Sequence, residues 1–533
     1  MKKSMIFLGA MALPLLASAQ AAVTETPANL EWHKNLYGLY MSANGLWMGS
    51  SAGGTHLYNI ETGESYEFAN SLLGIGQPVA NNGWALGSID SQRAVLHIDG
   101  QTIYPESLKL YVFTSLDGIT PDATRACGFV SNNEKNGPDN LPIVCNISAD
   151  GVVGEPIFLP VPEKDFFGLT PEGVLPRWIS DDGKTLLGEF RDWTGRYIVP
   201  IVYFEEEDGS WSYYLPSEPL FNPNHLEFGV NPYATEPPAP EVYDYMDPVK
   251  RAAYLADYEI WAANNYIDDL YPDPTDYMTE EQIMEYNLAV EEHNAWEDDP
   301  EIQEEIKEYN KVFTEIQRTS PNFHQSEMAI QPQGQFIAAS STKLGQNLED
   351  IPSIYRFDLQ GDRDYKVYPS PYPNLIPNSI TDDGTIFIAT SLADGEDETV
   401  TNSYVLSPGS SEFVPFVEYI ADSYPEVAEW IEINFLATAG VVSSNRDQTV
   451  FYGALQLNNF LTTNGAEDFS KSTYVFSDTV ELSGIESIAA ENADGIYRVY
   501  NLQGVKILET RDSAALSSLP SGIYIINGKK ILK

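Results

Sequence analysis

Two stretches, ISDDGKTLLGEF (Ile179–Phe190) and ITDDGTIFIATS (Ile380–Ser391), decide how this chain of 533 residues reads. Each sets an apolar residue and a hydroxyl residue before Asp-Asp-Gly and an apolar run after it. Asp-Gly supplies the positive φ of a tight hairpin turn. The β-branched and aromatic run beyond it fits a pleated, half-buried strand. The same unit returns as IQPQGQFIAASS from Ile330 and MSANGLWMGSS from Met41. Looser copies are VANNGWALGSI from Val79, the stretch Thr120–Phe129, and VSSNRDQTVFYGAL from Val442. Second strands follow them, such as THLYNIETGESYEF, AVLHIDGQTIYP and SIYRFDLQGDRDYKVYP.

Short strands and turns recurring at about 40 residues are the signature of a propeller, each blade a small antiparallel sheet. The fold class expected is therefore mainly β: a β-propeller of about seven blades, spanning 24–239 and 321–480. Six or eight blades also fit, and a pair of β-sandwiches is the alternative arrangement. The turn-strand motif resembles the Ser/Thr-x-Asp-Gly-Lys strand of TolB-like, WD-type propeller repeats. That family usually has Pro where Asp181 and Asp382 stand here. The Asp-boxes of sialidases are a poorer match, because Gly183 comes one position early and no Trp follows.

Between residues 240 and 320 the period changes from strand to helix. Asp247-Pro248 places an N-cap and an N1 proline before Tyr254, Leu255, Tyr258 and Trp261. Thr279 and Gln282 form a capping box, and Asp299-Pro300 opens a helix with Ile302, Ile306, Tyr309, Phe313 and Ile316 on one face. Glu241–Arg318 holds 22 acidic and 5 basic residues. Such an insertion packs as amphipathic helices with a solvated acidic face, or caps a binding face. In the second reading Tyr254, Tyr258, Trp261 and Tyr266 are the ligand-binding candidates.

The ends of the chain speak of export. Lys2 and Lys3 precede the apolar run Met5–Leu16, and Ala17-Ser18-Ala19 supplies a cleavage pattern between Ala19 and Gln20. Residues 1–19 thus read as a signal peptide, and the run is too short to span a bilayer comfortably. From 484 to 533 the composition becomes neutral, and strands IYRVY, VKIL and GIYII precede an Asn527-Gly528 hairpin signal. This small, β-sandwich-like module resembles the C-terminal sorting domain of the type IX secretion system of Bacteroidetes. The likeness rests on Val499–Gly504, Leu519–Ile526 and Lys529–Lys533; the usual Pro-Asn-Pro lead-in is replaced by LSGIESIAAENADG. It implies delivery by that secretion machinery to the medium or outer cell surface, with the periplasm as the other compartment a signal peptide allows.

Composition narrows the partners. With 29 basic and 78 acidic residues the net charge is −49, a field that repels phosphate backbones and excludes nucleic acid as a partner. No later stretch reaches the roughly 18 apolar residues of a spanning helix. Cys127 and Cys145 flank a polar turn centred on Asn136, and strands folded symmetrically about it would set the two opposite each other. A cross-strand disulfide is expected in an oxidising compartment, two buried thiols otherwise.

Chemistry-bearing motifs are sparse. Gly49-Ser50-Ser51-Ala52-Gly53 matches G-x-S-x-G, but a strand pattern follows where a nucleophile elbow needs a helix. The six histidines, His33, His56, His97, His225, His293 and His324, show no metal-ligand pairing. No cofactor is indicated. Calcium is compatible with the acidic turns Asp394–Asp397 and Asp358–Asp364, although EF-hand spacing is absent. Catalytic and metal residues therefore stay unassigned. The expected function is binding of an extracellular glycan, peptide or protein. The alternative is a secreted glycan lyase, glycosidase or peptidase with its site at the propeller mouth.

Overall fold

The structure is a computed structural model. It describes residues 26–34, 40–51, 54–89, 92–132, 138–168, 170–192, 195, 197–221, 240, 242–263, 272–344, 350–370, 375–390, 403–434, 440–455, 472–477, 497–501, 506–510, 523–526 and 529–532. Two compact units emerge, one of residues 1–220 with 321–533 and one of residues 221–320.

The first unit carries the propeller, seven antiparallel sheets among the described residues. The first contains β2 (Tyr40–Met41), β3 (Trp47–Ser50), β4 (Thr55–Asn59) and β5 (Ser65–Phe68), after β1 (Leu30–Lys34). The second contains β6 (Ser71–Leu73), β7 (Ala85–Ile89), β8 (Arg93–Ile98) and β9 (Gln101–Ile103). The third is β10 (Thr114–Ile119), β11 (Arg125–Ser131) and β12 (Asn140–Asn146), edged by the short β13 (Ile157–Phe158). The fourth holds β14 (Gly173–Ile179), β15 (Thr185–Arg191), β16 (Ile198–Glu205) and β17 (Trp211–Tyr214); a single parallel pair, Asn140 with Gly173, ties it to the third. The fifth has β18 (Asn322–Ile330), β19 (Phe336–Leu344), β20 (Asp350–Asp358) and β21 (Tyr365–Pro369), and the sixth β22 (Leu375–Ile380), β23 (Ile386–Thr390), β24 (Tyr404–Leu406) and β25 (Val414–Pro415). In the last, β26 (Gly440–Ser444), β27 (Val450–Leu455) and β28 (Ser472–Ser477) are completed by β1, Leu30 opposite Phe476. The N-terminal strand thereby closes the ring of blades.

The repeat seen in the sequence is the turn between the first two strands of each blade. In all seven, the fourth turn residue donates its N–H to the first residue's carbonyl, at 2.8–3.2 Å. The fourth residue has φ from +58° to +90°: Gly45, Gly83, Ala123, Gly183, Gly334, Gly384 and Gln448. Side chains lock the turn from inside. The Ser180 hydroxyl donates to Asp182 (2.7 Å) and accepts from the Thr185 N–H (2.9 Å), and Ser42 does the same with Asn44 and Trp47. These local side-chain bonds are what Ser, Thr, Asp and Asn contribute to turns.

The turns also bond to one another around the axis. Asn81 N–H donates to Pro121 O (2.9 Å), Asp181 N–H to Pro332 O (2.8 Å), Asp382 N–H to Arg446 O (3.0 Å) and Arg446 N–H to Ala43 O (3.3 Å). Pro121 and Pro332 have no N–H to pass on, and side chains replace it. Arg125 donates to Gly183 O (3.1 Å), and Gln331 to Asp382 O (3.4 Å). Asn44 closes the last gap, its N–H on Asn81 Oδ1 at 2.8 Å and its amide on Asn81 O at 3.2 Å. Seven links complete the circle.

After β25 come two helices absent from the sequence reading, α4 (Phe416–Ala421) and α5 (Pro425–Asn434) in chain order, the insertion holding α1 to α3. Phe416, Ile420, Tyr424 and Trp430 bury themselves with Phe451 and Phe476 between the last two blades. The C-terminal residues form a four-stranded sheet of β29 (Tyr497–Asn501), β30 (Lys506–Thr510), β31 (Ile523–Ile526) and β32 (Lys529–Leu532), in the order β30-β29-β31-β32. Ile526 pairs with Lys529 across β31 and β32, and the hairpin signal at Asn527-Gly528 lies outside the described residues.

The second unit holds α1 (Pro248–Ala263), α2 (Glu280–Glu297) and α3 (Pro300–Thr319). Its caps are those expected. Asp299 accepts from the Glu301 N–H at 2.8 Å, and Thr279 and Gln282 exchange bonds of 3.3 and 2.9 Å. Tyr309 and Ile316 of α3 are buried.

The cysteine pairing is corrected. Strand β11 meets β12 with Cys127 opposite Val144 and Ala126 opposite Cys145, one residue off the expected register. A one-residue slip turns the two side chains to opposite faces, so both are free, buried thiols. Burial pushes the Cys145 thiol up to about 12 and that of Cys127 higher still. The native protein is expected to resist a thiol-specific disulfide reagent and to release two thiols per chain once unfolded in guanidinium; release of none would restore the disulfide.

Candidate functional site

The first strands of the blades line the axis, and three of them bulge there by a single residue. The register skips Asp117 in β10, Arg177 in β14 and Asn378 in β22. A bulge re-aims one side chain without disturbing the rest of the strand, and here it turns polar groups inward. Arg177 donates to Asp117 Oδ2 at 2.9 Å and to Glu189 Oε1 at 3.0 Å, with the three side chains 4%, 2% and 0% exposed. Glu189 also accepts from Arg191 at 2.7 Å and from the Ser326 N–H at 2.6 Å. Asp117 takes Ser115 Oγ (2.9 Å) and the Ile75 N–H (3.2 Å). Buried charges need this degree of pairing and hydrogen bonding to be tolerated. Room for it comes from glycine: a Cβ on Gly76 or Gly118 would lie 2.0 or 2.6 Å from the Arg177 carbonyl oxygen.

Toward the turn ring the channel is crossed by side chains. Arg446 reaches Asp181 Oδ1 across the axis (3.1 Å) and Ile380 O (3.3 Å). Gln77 bridges the Ile179 carbonyl and the Arg446 guanidinium. Between this bar and Trp178 lies a cavity of 60 Å³, walled in part by Tyr40, Gln77, Asn378, Ser379 and Ser443. Burial, then the Asp117 charge, push the Tyr40 phenol up to about 12, with Arg177 opposing. The other end of the axis lies where the first strands begin.

At that end the buried network surfaces. Arg191, 11% exposed, lies 3.7 Å from Glu172, whose carboxyl is raised by burial against the opposing pull of Arg191. The bulge in β18 is longer than the others, running from Phe323 to Met328. It holds His324 between Glu327 Oε2 and Thr342 Oγ1, each at 2.6 Å. Blades 4 and 5 therefore contribute Glu172, Arg191, His324, Glu327 and Thr342 to one continuous polar strip.

None of these was singled out in the sequence, where His324 is one of six scattered histidines. The signal was present nonetheless: HQSE interrupts an otherwise apolar first strand at 324–327. Ser51 spends its hydroxyl accepting from the Leu73 N–H (3.0 Å), and His56 faces Glu67 at 3.6 Å, so the G-x-S-x-G match is part of a hairpin. Tyr254 is buried and meets Tyr277 edge-on at 5.4 Å. The side chains of Tyr258 and Trp261, the whole of Tyr266, Ala19, Gln20 and Asp394–Asp397 lie outside the described residues. Asp358 accepts from Arg356 at 3.1 Å and Asp364 from the Tyr365 N–H at 2.9 Å. Among the described residues no three His, Cys, Asp or Glu side chains are grouped to hold a metal ion, and no helix is long and apolar enough to cross a membrane.

No protein family matches the chain, and no curated protein does. Among solved structures it is similar to prolyl oligopeptidase B from Galerina marginata, at 9% identity and a TM-score of 0.35 over 83% of this chain and 49% of that one. The β-propeller domain of the Trilobed protease from Pyrococcus furiosus gives 7% and 0.33 over 73% and 78%. A puromycin-hydrolyzing peptidase of Mycobacterium tuberculosis gives 10% and 0.32 over 78% and 51%. The chain spans about half the length of the first. Likenesses at these scores carry no function across, and the propeller stands on the sheets and their closing strand.

Two outcomes are expected at the site. Arg177→Met leaves buried Asp117 without its charge partner and Glu189 with Arg191 alone, and should lower the unfolding free energy by about 3–5 kcal/mol in urea titration. Adding Asp117→Asn and Glu189→Gln should recover part of that loss. His97 lies between Ser71 Oγ (2.8 Å) and Thr102 Oγ1 (3.2 Å), and burial lowers it to about 4. Its folded pKa lies below the unfolded value of about 6.5, so its contribution is complete above pH ~6.5 and lost as pH falls toward 4. Wild type minus His97→Gln should therefore fall by about 1.4 kcal/mol per pH unit in that window; a flat difference would show His97 charged in the fold.

Proposed function

We propose that this chain is an exported propeller that binds an extracellular glycan, peptide or protein at the open end of its channel. The observation that carries the reading is the asymmetry of the axis. One end is crossed by the Arg446–Asp181 bar inside the turn ring, and the other presents a half-buried strip of charged and hydroxyl groups from neighbouring blades. Loops and bulges on a rigid scaffold are where propellers place recognition. Export is supported by the signal-peptide pattern at residues 1–19. Delivery through type IX secretion machinery, to the outer surface or the medium, is supported by the sorting-like strands of 484–533. A second reading, a secreted enzyme working at the same mouth, is favoured by the contact geometry of His324 alone.

Binding is tested with the mature chain from Gln20 onward on glycan and peptide arrays, followed by calorimetry on any ligand retained. Glu172→Ala should weaken that ligand at least about tenfold, or ~1.4 kcal/mol, while Lys307→Ala on α3 leaves it unchanged. A ligand insensitive to Glu172 would remove the mouth from the reading.

A further inference from the structure

Blade 5 departs from its neighbours. Its first strand loops out four residues, 324–327, where β10, β14 and β22 each loop out one. Ser326 in this loop has φ +62°, a backbone state that side-chain-bearing residues seldom occupy. Its N–H donates to Glu189 Oε1, a carboxylate already fixed by Arg177 and Arg191. The loop is therefore pinned to the buried Asp117–Arg177–Glu189–Arg191 network, and the strain is held in place.

What this pinned loop presents is an ordered chain of three side chains. Thr342 Oγ1 is 2.6 Å from His324 Nε2, and His324 Nδ1 is 2.6 Å from Glu327 Oε2. An ionised carboxylate only accepts, so the imidazole proton resides on Nδ1 and the Nε2 lone pair faces the hydroxyl. Hydroxyl, imidazole and carboxylate in that order are the parts of an activated nucleophile, its base and the group that orients the base. The molecule holds its own contrast. His97 also touches two hydroxyls, but it is fully buried and the contacts on its ring nitrogens are to hydroxyls alone. His324 and Glu327 have side chains 28% and 19% exposed, shielded yet within reach from outside.

We propose that Thr342, His324 and Glu327 form an acyl-transfer relay acting on carboxylic esters. Thr342 Oγ1 forms a bond to the ester carbonyl carbon while its proton passes to His324 Nε2. The C–O bond to the alcohol then breaks, and the departing alkoxide takes that proton to leave as the neutral alcohol. Water repeats the sequence on the acyl-threonine, releasing the acid and restoring the hydroxyl. Glu327 holds the imidazole in the receptive tautomer and stabilises its charge. This goes beyond binding at the mouth and does not rest on it.

A fluorophosphonate probe tests the relay by peptide mass spectrometry. The Thr342 oxygen forms a bond to phosphorus, fluoride leaves with the P–F electron pair, and the proton goes to His324. The native chain should carry the adduct on Thr342. Thr342→Ser, with a less hindered hydroxyl, should label at least as fast, and Thr342→Val should not label. His324→Gln should slow labelling about 100-fold or more, and Glu327→Gln by a smaller factor. Far-UV circular dichroism on each variant establishes folding, and the Ser variant keeps the test decisive should Val misfold. No adduct on Thr342 in the folded wild type, or labelling unchanged in His324→Gln, overturns the relay. Ligand retention on the arrays is read separately, so either result leaves the binding reading to its own test.

Discussion

The circle of hydrogen bonds between the seven first-strand turns is the constraint on which the rest of the propeller depends. Each turn needs a positive φ at its fourth residue to present the second residue's N–H or carbonyl to the next blade. Where proline removes a donor, Arg125 or Gln331 supplies one from a side chain. A ring of this kind fixes blade spacing at one end and lets the sheets fan outward with their ordinary twist. It also fixes what the axis can hold. Arg446 is brought opposite Asp181, and the bulged residues of β10, β14 and β22 meet one layer further in.

That arrangement explains why buried charge sits beside the candidate site. Asp117, Arg177, Glu189 and Arg191 run as an uninterrupted series from the buried interior to the mouth, each group holding the next. Replacing such a series by apolar side chains would cost the fold little. Its evident service here is geometric: it anchors Ser326, and with it the loop that carries His324 and Glu327.

Legibility in the sequence followed the local physics. Turns built on glycine announced themselves more readily, and two of the three looser copies are those where Ala123 and Gln448 occupy the left-handed position instead. Helix caps at Thr279 and Asp299 were readable because capping is decided within four residues. Register was not. A turn centre misplaced by half a residue sent Cys127 and Cys145 to the wrong faces of their strands. The helices after β25 escaped notice because their aromatic residues answer to a core made by two blades, not to their own period. Bulges are equally silent, since one extra residue in a strand leaves no compositional mark, and only the polar HQSE run hinted at the long one.

The closing strand has a consequence for how the molecule comes into being. Strand β1 is made first and its partner β28 almost last, so the contact that seals the blades spans nearly the whole chain. Contacts of such sequence separation form late. Until then β28 offers an open edge of unsatisfied N–H and C=O groups, the kind of template on which chains aggregate. The net charge of −49 works against that hazard, because it keeps one half-closed copy from approaching another. Acidity and topology are in that sense parts of a single solution to assembling a ring from a thread.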